Sequence, residues 1–574
     1  MLAYSSATAS SSMKFGSFFG DYFIAIRKQE GQFTVKGNKD LFVGHQIGEE
    51  GTFLRWEWTG LQLVVRNDRY GLCPAYYSQG PKGFIIATSV QRLIAEGVSP
   101  ELDYDALAVF LRLGTFVGDD TPYSAIRALP PGTQFTWSGG SERPTGCVIL
   151  GEAATGLTRE AAYERYNELF SEAVRRRSTV AGDVAVALSG GMDSRHILLE
   201  LCRLGRKPKL CVTAQIYPGE SSEDLDYAKQ VAQALAVPHV EIEQPRDWVN
   251  AEIQKLQATS LGALEHNWGM VVGPYLQHKV VTVFDGLGGD VLSDCRHIVT
   301  PARHEAFQAG RFAVLAEDFL QNEYGGVRYL KPKLARLLSR ERAIHRLSVE
   351  AARFAAAPNP VVAFTFWNRT RRAVSLLPHG VWNRSVQVLT PFLDHTLFDF
   401  LIGLPVEFVG DYTFHAETIR RHYPSLAHIP FVSGPCRRPS NGSPIFRKMA
   451  LDLLTHGLRS IPSSYISFRH VLPRLMRAII DPSYSPSVLW LGPSMLYGLE
   501  LENRRMHLIP LHTIGSSGLQ RKRPGLGVWS ETSHQRVLGG GECLCPVVVP
   551  TGRTALSVAH GSRVGICGAK RRKG

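Results

Sequence analysis

The sequence predicts an α/β protein in two parts, a mainly β layer structure followed by a parallel sheet wrapped in helices. Three observations point there. Short β-rich runs separated by Gly, Asn, Asp and Pro turns fill the stretch from Phe15 to about Leu150. From Thr158 onward, apolar runs of strand length alternate with stretches of helical period, the pattern of right-handed βαβ crossovers. At 574 residues, with 44% hydrophobic and 20% charged residues, the chain has a globular composition and the length for two or three domains, which rules out disorder throughout.

Taken in order, residues 22–26, 61–65 and 84–87 read as strands of the first layer. Residues 137–156, with Gly139, Gly140 and Pro144, read as a linker. Residues 158–177 have helical period, and 184–188 form a short apolar run ending in Ser189, Gly190 and Gly191, so the parse is strand, glycine loop, helix. Residues 210–214 follow as a strand and 224–235 as an amphipathic helix. From about 300 to 480 the period is helical with Arg-rich polar faces, which predicts helices packed around the sheet. The expected units are 15–150, 158–480 and a tail at 516–574.

Lys and Arg total 64 against 51 Asp and Glu, a formal charge of +13, but residues 516–574 hold ten Lys or Arg and two Glu and so carry +8 of it. With eleven glycines and no apolar period, that stretch reads as a disordered basic extension, solvated rather than built to bind nucleic acid. No run of about 18 apolar residues occurs, so neither a transmembrane helix nor a membrane partner is expected. Nine cysteines include no C-x-x-C pair, which fits a reducing compartment and excludes a zinc knuckle or disulfide framework. Residues 1–12 lack the charged and apolar segments of a secretory leader, so a cytoplasmic location is expected.

The chemistry is concentrated in Leu188-Ser189-Gly190-Gly191-Met192-Asp193-Ser194, after a strand and opening a helix. Two glycines admit a phosphate to the backbone, Ser189 and Ser194 offer hydroxyls, and the helix N-terminus adds its amides. A carboxylate beside phosphate calls for a cation, so Asp193 points to Mg²⁺. The plainer alternative is a Ser/Gly turn capping a helix. The preceding strand together with Asp193 and Ser194 favours nucleotide binding.

This segment resembles the S-G-G-x-D-S loop of the ATP pyrophosphatases and, within them, the asparagine synthetase family. Four further stretches are similar to that family: Asp224-Leu225-Asp226 with His239-Val240-Glu241; Phe284-Asp285-Gly286-Leu287-Gly288-Gly289-Asp290; Pro391-Phe392-Leu393-Asp394 with Leu404-Pro405; and Arg66-Asn67-Asp68 to Tyr77 with Leu129-Pro130-Pro131-Gly132. The resemblance spans about residues 15–450. It implies an N-terminal Ntn-hydrolase-like αββα sandwich of glutaminase type, followed by a Rossmann-like ATP pyrophosphatase sheet. It also implies Mg²⁺ on Asp193 and Asp290, and ATP along Leu188, Ser189, Gly190, Gly191, Ser194, Val212, Gly286 and Gly288. The reaction implied is adenylation of a carboxylate, aspartate or a related acid, followed by transfer to ammonia or an amine. Glu265, in Glu265-His266-Asn267-Trp268, is kept as a substrate contact beside the plainer reading of a helix face with one satisfied His and a buried Trp.

The departures from the family are specific. Its glutaminase nucleophile is a Cys exposed by removal of Met, but Leu2 follows Met1, and Lys14 would follow a start at Met13. Cys73 reads as a buried core thiol. The expectation is a sandwich that does not hydrolyse glutamine, unless upstream sequence is missing. The second loop has Leu287 and Val291 where the family has Glu, Gln387-Val388-Leu389 replaces E-x-R, and no Lys stands between 410 and 445, where Arg437, Arg438 and Lys448 are weak stand-ins. Relatives that lose the first of those Glu residues include β-lactam synthetases and macrolactam cyclases, which keeps cyclisation open. A non-catalytic ATP-binding scaffold stays open as well, and so does a homodimer. A tRNA-modifying pyrophosphatase is disfavoured by the N-terminal layer.

Overall fold

The computed structural model describes residues 13–506 apart from 82, 180–181, 216–221, 246, 296–297, 412, 433–443 and 461–462; the basic tail at 516–574 lies outside the described residues. The first layer is built from ten strands: β1 (Lys14–Phe15), β2 (Phe23–Gln29), β3 (Gln32–Gly37), β4 (Asp40–Ile47), β5 (Glu50–Trp58), β6 (Leu63–Asn67), β7 (Tyr76–Gly80), β8 (Gly83–Ala87), β9 (Arg127–Ala128) and β10 (Gln134–Trp137). They form two antiparallel sheets, β1-β4-β5-β6-β10 and β3-β2-β8-β7-β9. Period-two alternation turns Ile24, Ile26, Phe84 and Ile86 of one sheet onto Val43, Leu54, Trp56 and Val65 of the other. Two helices, α1 (Val90–Ala95) and α2 (Tyr104–Leu113), begin at side-chain caps from Ser89 and Asp103. Neither helix was read from the sequence.

The second part opens with α3 (Arg159–Ser178), capped by Thr158. It continues as β11 (Val184–Ala187), α4 (Asp193–Arg203), β12 (Leu210–Ala214), α5 (Glu223–Ala234), β13 (His239–Ile242), α6 (Trp248–Ala258), β14 (Thr282–Phe284) and β15 (Gln387–Leu389). These strands make one parallel sheet in the order β13-β12-β11-β14-β15. The sheet grows in one direction from β11 through β12 and β13, then returns to add β14 and β15 on the other side. The loops after β11 and β14 therefore flank the point where strand order reverses, the place where α/β sheets bind ligands. The fold class is the expected one: a sandwich with helices, then a parallel sheet with added helices. Helices run through the 300–480 region as expected. One more, Val488–Met506, packs on α6 and on the helix Pro444–Arg459, and the sequence reading does not contain it.

Residues 138–158 hold no helix or strand, but they are not a loose linker. The Cys147 amide donates to Pro131 O (2.9 Å), Trp367 Nε1 to Ile149 O (2.9 Å) and Ala154 N to Gly403 O (2.9 Å), so the stretch is a strap bonded at both ends. A π-helical segment, Phe366–Val374, joins the two parts more deeply. Its buried Arg371 donates from Nε to Tyr70 O (3.0 Å) and from Nη2 to Leu129 O (2.8 Å), and Asn368 Oδ1 accepts the Gly118 amide (2.7 Å). Among the described residues, no helix is long and apolar enough to cross a membrane.

Asp394 holds a second junction. Its carboxylate caps the helix His395–Ile402 through the Thr396 amide (3.2 Å), accepts Arg177 Nη1 (2.8 Å) and pairs with Arg176, whose Nη2 also reaches Glu50 of β5 (2.9 Å). Burial alone would raise this carboxyl, but Arg177 and then Arg176 hold it below the usual carboxylate range. Removing one partner of a buried pair leaves the other charge under-compensated, here Arg177, whose side chain is 3% exposed and would keep only the longer pair to Glu50 (3.5 Å). Asp394→Ala is expected to lower stability by about 3–5 kcal/mol, and Asp394→Asn, which keeps the cap acceptor, by less. Urea unfolding of the two variants checks this.

Candidate functional site

The β11 strand delivers Leu188 to a tight loop that opens α4. Ser194 Oγ accepts the Ser189 amide (2.7 Å) and lies 2.6 Å from Ser189 Oγ, while the Gly191 amide donates to Ser189 Oγ (3.0 Å). Both hydroxyls thus shape the loop from inside. The Gly190 amide donates to Asp224 Oδ1 in the first turn of α5 (3.0 Å), and a Cβ at Gly190 would lie 2.6 Å from Asp224 O, so only glycine fits. Unlike the ends of α1, α2, α3, α5 and α6, the N-terminus of α4 has no side-chain cap. Its first amides are left to face an anion.

The second loop, after β14, closes onto the first. The Asp290 amide donates to Asp193 Oδ2 (3.0 Å), and a Cβ on Gly289 would sit 2.5 Å from Asp193 Cγ. Gly286 packs on Asp193 in the same way, while Gly288, at φ 95°, turns the chain against Leu393. Two carboxylates predicted from separate loops are therefore brought together. Burial, then the charges of Asp290 and Asp294, push the Asp193 carboxyl well above its usual range; burial raises Asp290, and Arg369 opposes that. Among the described residues no three His, Cys, Asp or Glu side chains converge into a metal cage. Mg²⁺, however, is held by one or two carboxylates plus phosphate and water, and two crowded carboxylates beside uncapped helix amides fit it.

Beneath Asp193 lies a buried pair of histidines that the sequence reading missed. His415 Nδ1 is 3.3 Å from Asp193 Oδ1 and 3.0 Å from Ser293 Oγ, and its Nε2 is 3.2 Å from His196 Nδ1. Ser293 donates its own proton to Gly289 O (2.7 Å), so His415 Nδ1 carries a proton toward the carboxylate. Burial lowers His415 to about 3, which makes this the contact of a neutral imidazole rather than an ion pair. Arg195, also missed, ties the loop down from the far side through Gly190 O (3.0 Å) and Pro430 O (2.7 Å).

The remaining expected residues divide. Leu188 and Val212 are buried, and the Leu188 amide donates to Val212 O (2.9 Å), extending the sheet ladder. Those two backbone groups serve each other. Glu265 is bonded to the Tyr324 hydroxyl and to Arg369 Nη2 (3.2 Å), and it does not line the cavity beside the loops. Arg369 does, with Asp193 and Asp290. His266 and Trp268 are not on a helix face. His266 has φ 69° ahead of a short 3-10 turn, and both side chains line the same cavity. Lys448 pairs with Asp452 (2.5 Å), whereas Arg437 and Arg438 lie outside the described residues. Nothing in the sequence marked Arg369. Asp224 was quoted as a landmark only, although an acidic residue opening the next helix is a signal that could have marked it.

Residues 165–409 match the asparagine synthase family, and residues 50–145 match the glutamine amidotransferase domain, in the chain order of the parallel sheet and the sandwich. Together the two matches support an asparagine synthetase-family protein. It is 28% identical over 156 residues to the glutamine-hydrolysing asparagine synthetase of Gallus gallus, covering 26% of this chain and 28% of that one. It is 27% identical over 215 residues to amidase chry2 of Gibberella zeae, covering 34% of this chain and 31% of the relative. The matches span under a third of the length of either relative. Against the family pattern, Gln387-Val388-Leu389 is the buried edge strand β15, and a cation reaches the cavity instead from Arg369 on the π-helical segment.

A carboxyl whose proton the fold favours weakens the native state as pH rises above the unfolded value near 4. Asp193→Asn is therefore expected to raise the melting temperature in EDTA by roughly 2 °C, about 1 kcal/mol in a domain of this size, with a larger gain at pH 8 than at pH 5. Calorimetry at the two pH values checks this.

Proposed function

We propose that this chain is an ATP-dependent amide-forming ligase that adenylates a carboxylic acid and passes the acyl group to ammonia or an amine, releasing AMP and pyrophosphate. The observation that carries the reading is the meeting of Asp193 and Asp290 at the uncapped end of α4, on the switch point of the sheet. Pyrophosphate oxygens would rest on the first amides of α4, where the helix dipole favours negative charge. Asp193 and Asp290 would hold Mg²⁺, which when bound neutralises charge on the leaving pyrophosphate. Arg369, with Glu265 and Tyr324 behind it, would orient the substrate carboxylate. One carboxylate oxygen then bonds to the α-phosphorus as the bond to the β-phosphate oxygen breaks. The amine nitrogen next bonds to the acyl carbon, AMP leaves with the electron pair, and a proton is lost from nitrogen.

A second reading, a scaffold that binds ATP without ligation, is favoured by one observation. Leu287 and Val291, which stand where the family has Glu, are buried apolar residues and bring no carboxylate to the second loop. ATP–pyrophosphate exchange with Mg²⁺ and a panel of carboxylic acids separates the two. Exchange dependent on one acid and lost by at least a hundredfold in Asp193→Ala and Asp290→Ala is expected. ATP binding with no exchange for any acid would favour the scaffold.

Cys73, the one cysteine of the sandwich, is buried beside Asp68, and burial pushes its thiol well up. It is not placed to act on glutamine. Cys73→Ala is expected to leave the ratio of glutamine-supported to ammonium-supported amide formation unchanged, which end-point product assays would measure.

A further inference from the structure

The cavity beside the two loops has two unlike ends. One is the carboxylate end of Asp193 and Asp290. The other is hydrocarbon, made by Trp268, Val374, Leu377, Pro378 and Trp382. Trp382 spends its Nε1–H on Gly269 O (2.8 Å), so its indole offers the cavity no donor. Leu377 and Trp382 belong to one apolar cluster, and half-buried Trp268 packs against it.

The distribution of charge is equally uneven. Arg369 is the one permanent cation among the described lining residues. His266 is neutral at physiological pH, because burial lowers it to about 4. Glu265, next in sequence to the lining residue His266, is engaged by Arg369 and the Tyr324 hydroxyl. Asp285 accepts the Leu287 amide (2.9 Å) within the second loop. A substrate ammonium entering the apolar end would lose its water and find no carboxylate there, a costly burial. A carboxylate with an apolar body meets Arg369 at one end and carbon at the other.

We propose that the acid activated here is a monocarboxylic acid with an apolar body, its carboxylate at Arg369 and its body against Trp268, Leu377 and Trp382, and that a dicarboxylic amino acid such as aspartate is rejected. This deepens the adenylation reading above and rests on it. Discrimination follows from unequal losses: a site without an ammonium partner rejects a charged amine more strongly than a site of carbon rejects one methylene more or less.

The test is isothermal titration of the full chain with 3-phenylpropionate and with aspartate, in the presence of Mg²⁺ and α,β-methylene-ATP. We expect 3-phenylpropionate to bind at least tenfold more tightly than aspartate, and Val374→Asp, which sets a carboxylate in the half-buried apolar wall, to weaken that binding at least tenfold while binding of the ATP analogue holds. Aspartate binding as tightly as 3-phenylpropionate, neither acid binding, or a folded Val374→Asp protein that binds 3-phenylpropionate as before would overturn the proposal. If Val374→Asp does not fold, the comparison of the two acids on the native chain decides alone. ATP–pyrophosphate exchange run in parallel keeps the two readings apart. Exchange supported by aspartate and not by 3-phenylpropionate sinks the substrate class and leaves adenylation standing. Tight 3-phenylpropionate binding without exchange upholds the apolar acid site and sinks adenylation.

Discussion

The contact between the two glycine loops organises the rest of the molecule. Asp193 accepts the Asp290 amide, and neither Gly286 nor Gly289 could carry a side chain without striking it. That closeness sets two carboxylates in a buried corner, where burial and then the charge of Asp290 disfavour ionisation of Asp193. Around it the chain is arranged to hold the strain still. Asp224 and Arg195 fix the first loop from outside, and Ser293 and neutral His415 support Asp193 from beneath. Such an arrangement is poor for stability and well suited to a bound cation and phosphate, the usual compromise of a functional site.

The corner is also where the sheet reverses direction, so its position follows from topology. Strands β11 and β14 are neighbours although nearly a hundred residues separate them, because the chain builds one side of the sheet before starting the other. Parallel pairing puts both strand ends on one edge of the sheet, and the loops leaving that edge face each other as a result.

What could be read from the sequence follows the same distinction between local and distant. The strand, glycine loop and helix at 184–203 were legible because period and glycine placement are properties of adjacent residues. Asp290 was reached through a second, similar loop. Arg369, His415 and Arg195 were not legible: Arg369 meets Glu265, His415 meets Ser293 and Arg195 meets Pro430 across a hundred or more residues of chain, and no spacing rule reports that. Leu188 and Val212 were expected beside a nucleotide, and pattern alone could not tell that their backbone groups bond each other. The stretch at 137–156 read as a linker because turn residues mark irregular backbone, and irregular backbone can be firmly bonded.

The π-helical segment Phe366–Val374 faces two ways, with Arg369 on the cavity and with Asn368 and Arg371 locked to backbone of the sandwich. A π-turn widens the helix and lets consecutive residues serve opposite neighbours. The sandwich is thereby a buttress for the cavity-facing guanidinium. A lineage that discarded glutamine chemistry would still be bound to keep these sheets, since excising them would leave the arginine on a helix with nothing behind it.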